Sequence, residues 1–167
     1  MKIEYNNLFT HFVFTTFVRK PIILEQYRVR IEKYITGIIN NNDCKLYSIY
    51  ANPEHVHFLV SRLPKLDEET LATTIANSSE KFINEKRLCE LFFQWQQSCS
   101  AFSVSKHCVH DVCEYIDNQK EHHKKKSYEE EYNDYVKFYQ QTIKKCTDKK
   151  WGNEVETPFH HIATEVV

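Results

Sequence analysis

Residues 54–62, EHVHFLVSR, constrain this chain more than any other stretch. Val56, Phe58, Leu59 and Val60 form a short apolar run of strand length, entered from the turn pair Asn52-Pro53. Side chains two apart on a strand leave it on the same face. His55 and His57 therefore project together from one side of a strand that reads as central and covered on both faces. Two adjacent imidazoles there point to a divalent metal, because neutral imidazole is a common ligand. Hydrogen bonds to backbone carbonyls or a dimer seam are the plainer explanation, since two ligands alone do not make a metal site.

The flanking segments supply the fold class. Residues 7–18 are aromatic and β-branched and read as a strand that Pro21 ends. Tyr27, Ile31, Tyr34, Ile35 and Ile38 recur at helical spacing over 25–41. Residues 44–51 alternate Leu46, Ser48 and Tyr50 against Tyr47 and Ile49, as a strand does. Asp67 is an N-cap candidate, with Glu68 and Glu69 in the first turn of a helix reaching about Arg87. Residues 91–97 and 100–105 read as extended, and a helix is expected from about 106 to 123. Ser127 and Glu130 have capping-box spacing and open a last helix. The order strand, helix, strand, strand, helix, strand predicts an α+β, ferredoxin-like fold (split βαβ, RRM-like). Its antiparallel sheet carries helices on one face, leaves the other face free, and is followed by a C-terminal helical extension.

The 167 residues are expected to form one domain, with a core over about 7–142 and a tail, 143–167, of weak signals. Only two glycines, Gly37 and Gly152, are present, so a Gly-rich nucleotide-binding loop has no support. The six cysteines include no C-x-x-C pair, the N-terminus has no continuous apolar stretch, and no 18-residue apolar span occurs. A soluble, cytoplasmic protein with reduced thiols is expected. Net charge is −1, but KEHHKKK (120–126) and KKCTDKK (144–150) are locally basic. Such runs are commonly solvated helix faces, and can also meet a phosphate backbone.

CEYIDNQKEHH, 113–123, is the second chemical element. On a helix, Tyr115 and Gln119 are four apart and share a face. They fall beside the apolar stripe of Val109, Val112, Cys113 and Ile116, where a tyrosine can present its hydroxyl to a cleft or simply sit as an amphipathic residue.

The combination resembles the single-tyrosine HUH transposases, small insertion-sequence enzymes acting on single-stranded DNA, and the related REP-associated tyrosine transposases. The resemblance runs from about Asn7 to Tyr135 and rests on THFVFTT…RKPII, PEHVHFLV, ANSSEKFINEK, FSVS and YIDNQKEHHKKKSYEEEY. It implies Tyr115 as nucleophile, and His55, His57 and Gln119 as ligands of Mg²⁺ or Mn²⁺. It also implies a single-stranded DNA substrate bearing a hairpin, and a homodimer whose active sites are shared between subunits. Lys124, Lys125 and Lys126 become candidate phosphate contacts, with Arg19 and Lys20 as further ones. The chain departs from relatives at Phe17 and Val18, at Ser98, Cys99 and Ser100, and at Glu54, where Asp is usual. Three rival readings are a domesticated hairpin-binding protein, an RNA-binding module using Tyr47, Tyr50 and Phe58, and a structural zinc protein using Cys108, Cys113, His122 and His123.

Overall fold

In a computed structural model of the protein, His55–Ser61 form strand β3. The structure describes residues 1, 3, 5–134 and 137. The tail 143–167, with its basic run and Cys146, lies outside the described residues, as does Tyr135. Around β3 stand β1 (Phe9–Thr15), α1 (Glu25–Asn41), β2 (Lys45–Ala51), α2 (Glu68–Glu85), β4 (Ser100–Val104), α3 (Val109–Asp117) and α4 (Gln119–His122). The sheet runs β2-β3-β1-β4 and every neighbouring pair is antiparallel. This is the ferredoxin-like order, with β1 and β3 at the centre.

The centre is covered twice. On one face Phe12, Phe14, Val56, Phe58 and Val60 pack with Ile31, Ile35 and Ile39 of α1 and Leu71, Ile75 and Ile83 of α2. Burying a side chain such as Phe58 contributes about 1.5–3 kcal/mol. On the other face Phe9 and Leu59 meet Ile116 of α3, flanked by Val109, Val112 and Cys113. α3 thus gives β3 the cover on both faces that its apolar run implies, and occupies the face that the order of elements left free, because its apolar stripe needs a partner as the sheet does. Phe58 is fully buried under α1 and α2, so it cannot stack on a base.

Local signals set several elements. The Asp67 side chain accepts from the Thr70 amide at 2.7 Å and caps α2. Three expectations are corrected. In β2 the register slips between Leu46 and Ser48, a bulge that reverses parity: Leu46 packs with the α1/α2 core, while Tyr50 faces α3. Residues 91–97 form no strand beyond one bridge, Thr16 to Trp95. Side chains of α2 occupy the backbone groups a ladder would use: Asn84 exchanges two hydrogen bonds with Phe93, and Glu80 accepts from the Trp95 amide. The helix expected over 106–123 is a 3₁₀ turn, Lys106–Cys108, then α3 and α4, broken at Asn118. Asn118 leaves the helical region at φ −92° and ψ 12°, and its side-chain amide at 2.8 Å joins its backbone amide at 3.0 Å on the Glu114 carbonyl.

The chain divides into two compact units, Met1–Lys124 and Lys125–Val167. In the second, the Ser127 amide donates to Glu130 Oε2 at 2.8 Å and the Glu130 amide to Ser127 Oγ at 3.3 Å. That reciprocal pair is the expected capping box, and residues 128–134 are helical. Cys44, Cys89, Cys99, Cys108 and Cys113 are free thiols. No helix among the described residues is long and apolar enough to cross a membrane.

Candidate active site

His55 and His57 open β3 on the face that α3 covers, and both are fully buried. Their rings are 4.8 Å apart, nearly perpendicular. His57 Nδ1 lies 3.0 Å from Nε2 of His11, on β1. His11 pairs with Leu59 and Val13 with His57, which sets the two histidines diagonally on one face. Burial pushes the His11 pKa down to about 4. Burial, reinforced by the imidazoles around it, holds His57 well below the ordinary histidine value. Both rings are therefore neutral near pH 7, and a neutral ring keeps a lone pair for a proton or a metal. His11 escaped the sequence reading. Period-two parity on β1 puts Phe9, His11 and Val13 on one face, but only the β1–β3 register brings His11 to His57.

Around His55 the contacts are denser. Glu54 Oε1 stands 3.4 Å from Nδ1, and the carboxyl is held below its usual pKa chiefly by the hydrogen bond to His55. Asn52 Nδ2 lies 2.9 Å from His55 Nε2 and donates to Gln119 Oε1 at 3.0 Å. Asn52 and Gln119 are both buried, and the Asn52 amide closes the β2–β3 turn on the His55 carbonyl at 2.8 Å. Gln119 is thus joined to His55 through one side chain. His123 Nε2 reaches His55 Nε2 at 3.1 Å. One ring nitrogen from each of His55, His57 and His123 lies within 4.8 Å of the others. For a metal–nitrogen bond of about 2.0–2.1 Å, ligands at right angles stand about 3 Å apart and opposed ones about 4.2 Å. The donor set, with His55 and His57 buried, His123 half-buried and His57 neutral, fits a divalent cation. No cysteine joins this cluster among the described residues, so the zinc arrangement of Cys108, Cys113, His122 and His123 is not assembled.

Tyr115 enters from α3. Ile116 is fully buried against the sheet, and Ser48 Oγ donates to Asp117 Oδ1 at 2.5 Å, fastening the end of α3 to β2. The Tyr115 ring then lies 5.7 Å from His57, 6.3 Å from His11 and 5.4 Å from His122. Its hydroxyl is buried and has no hydrogen-bond partner among the described residues. A buried hydroxyl left unsatisfied costs about 1–3 kcal/mol, which marks this atom for a role outside packing.

The basic candidates are dispersed. Thr16 donates its amide to the Glu54 carbonyl at 2.8 Å, and its hydroxyl lies 2.7 Å from the Lys20 carbonyl. The turn holding Arg19 and Lys20 is thereby anchored at the His55 end of the sheet, with residues 17–20 exposed. Val18 and Arg19 adopt φ of 50° and 55°, a costly conformation for a β-branched residue. Lys124 pairs with Glu121 at 2.6 Å. Lys125 is exposed and Lys126 pairs with Asp134, both in the second unit.

Solved structures share this fold. A protein of Deinococcus radiodurans R1 described as a candidate transposase aligns at 18% identity and TM-score 0.56, covering 71% of this chain and 96% of its own. A REP-associated tyrosine transposase bound to a REP hairpin aligns at 13% identity and TM-score 0.53, covering 74% and 73%. No protein of curated function matches the sequence. The family described as "Transposase IS200 like" matches residues 4–119, a span holding β1 to β4, the paired histidines, Tyr115 and Gln119. This chain belongs to the IS200-like transposase family.

Proposed function

We propose that the protein cleaves and rejoins single-stranded DNA at hairpin-bearing element ends, through a 5′-phosphotyrosine on Tyr115. A Mg²⁺ or Mn²⁺ ion would be held by His55, His57 and Gln119. The observation that carries this reading is the buried, unpartnered Tyr115 hydroxyl beside the neutral His57 ring. A phenol is a weak nucleophile near neutral pH, because its pKa is about 10. A bound cation supplies charge withdrawal from the scissile phosphate and orients it for in-line attack. Tyr115 oxygen forms a bond to phosphorus as the bond to the 3′ oxygen breaks, and the phenolic proton balances the released 3′ hydroxyl. One phosphodiester is exchanged for one phosphotyrosine, so a later 3′ hydroxyl can reverse the step without nucleotide hydrolysis.

The hairpin is proposed by analogy with the REP-associated relative, which is bound to one. Arg19, Lys20, Lys124, Lys125 and Lys126 are the proposed phosphate contacts. We place the reaction in the cytoplasm and in a homodimer. Tyr115 lies beside His57 of its own chain, so sharing of sites between subunits requires α3 to move toward a second copy. A domesticated hairpin-binding protein is the second reading. It keeps the fold but gives no reason for the polar atoms gathered at Tyr115, His55 and His57.

The test is cleavage of an end-labelled single-stranded hairpin oligonucleotide, with its duplex as control. The single strand is cut in Mn²⁺ and the duplex is not. Binding without cleavage by wild type would favour the domesticated reading.

A further inference from the structure

We propose that His123 is a metal ligand of this protein, completing with His55 and His57 a three-imidazole site that prefers transition-metal dications to Mg²⁺. The inference rests on the reading of His55 and His57 as ligands.

Three observations carry it. His55 Nε2 and His123 Nε2 face each other at 3.1 Å, about the separation of two neighbouring nitrogens on one cation. His57 brings a third ring nitrogen within 4.8 Å of both. Asn52 Nδ2 approaches the same His55 Nε2 at 2.9 Å. An amide nitrogen can only donate, so Asn52 calls for the His55 lone pair on Nε2. One in-plane lone pair cannot serve both Asn52 and His123 well. A cation between the two imidazoles takes both lone pairs, and Asn52 keeps its other contact, to Gln119.

That contact bears on Gln119. Its Oε1 accepts from Asn52 at 3.0 Å through one of two lone pairs, so Gln119 can keep its place beside a cation that His123 also joins. His123 lies one helical turn beyond Gln119, and its amide donates to the Gln119 carbonyl at 2.9 Å. Tyr115, Gln119 and His123 thus follow at four-residue intervals across the Asn118 break. The sequence signal was present in HH at 122–123, but only the turn after α4 selects His123 for His55. Imidazole donors favour the later first-row ions, whereas Mg²⁺ prefers oxygen and keeps its waters. A third nitrogen added to the two imidazoles and the Gln119 oxygen therefore separates Mn²⁺ from Mg²⁺ more strongly than two nitrogens do.

The experiment titrates the full chain with Mn²⁺ alone, following the free ion by electron paramagnetic resonance, then displaces it with Mg²⁺. Wild type binds one Mn²⁺, which only a large excess of Mg²⁺ displaces. His123→Ala weakens Mn²⁺ roughly 10–100-fold, a loss of the size seen for groups that support a metal site, and narrows the Mn²⁺/Mg²⁺ preference. His123→Gln, which retains an oxygen donor, recovers part of the affinity. Thermal melting in EDTA confirms that the variants fold. If His57→Ala abolishes binding while His123→Ala leaves both affinities unchanged, His123 is not a ligand and the proposal falls alone. If His57→Ala also binds as wild type, the underlying metal reading falls with it.

Discussion

His11 Nε2 lies 3.0 Å from Nδ1 of His57, and both rings are buried on the face beneath α3. This contact engages His57 Nδ1 and helps hold the ring in one orientation, as groups behind a metal-binding imidazole do. His11→Ala should weaken Mn²⁺ binding about 10–100-fold, as loss of a group that orients a ligand does. His11→Gln, which can still hydrogen-bond Nδ1, should recover part of that loss. Mn²⁺ titration reads both. Unchanged affinity in His11→Ala would show that His57 needs no such support.

Metal removal should separate cleavage from binding. The proposed phosphate contacts are lysines and an arginine that need no ion. EDTA should abolish cleavage of a hairpin oligonucleotide and leave its gel-shift affinity within about threefold, since backbone contacts dominate such affinity. Cleavage that persists in EDTA would defeat the metal assignment.

Packing of α3 on the sheet is testable through Ile116, fully buried against Phe9 and Leu59. Ile116→Ala should lower unfolding free energy by about 2–5 kcal/mol, as other large-to-alanine changes in cores do. Urea denaturation measures it. A change below about 0.5 kcal/mol, the size usual for a surface substitution, would mean that α3 does not cover this face.

What the sequence disclosed and what it withheld divide along physical lines. α2 was legible because Asp67 and two following glutamates mark its start locally. β3 was legible because an apolar run with His55 and His57 two apart admits few conformations. The bulge near Tyr47 left no residue signature, and it moved Leu46 to the other face. The break at Asn118 lies in one residue's backbone angles, where side-chain and backbone amides share the Glu114 carbonyl. The contacts of His11 with His57 and of His123 with His55 were out of reach for another reason. Each histidine meets its partner only through register or a turn between elements far apart in sequence. Spacing alone put Tyr115 and Gln119 on one helix face and left a cleft-facing hydroxyl and an amphipathic tyrosine both open, whereas the resemblance supplied their roles.

The placement of Tyr115 beside its own His57, at 5.7 Å between rings, bears on assembly. Co-expressing His57→Ala with Tyr115→Phe yields mixed dimers. Sites formed within one chain predict background cleavage, because every site lacks one group. Sites shared by exchange of α3 would restore roughly a quarter of wild-type sites, from the two-fold symmetry of random pairing. Adduct formation on the size-tagged His57→Ala chain distinguishes the two.

The most direct measurement of the central claim is mass-spectrometric mapping of the covalent product. Wild-type protein is incubated with a cognate single-stranded hairpin and Mn²⁺, digested, and searched for a nucleotide-bearing peptide. The account predicts a 5′-phosphotyrosine at Tyr115, present in wild type and absent in Tyr115→Phe, while Tyr115→Phe still binds the hairpin. A nucleotide on another residue, or an adduct undiminished in Tyr115→Phe, would contradict it.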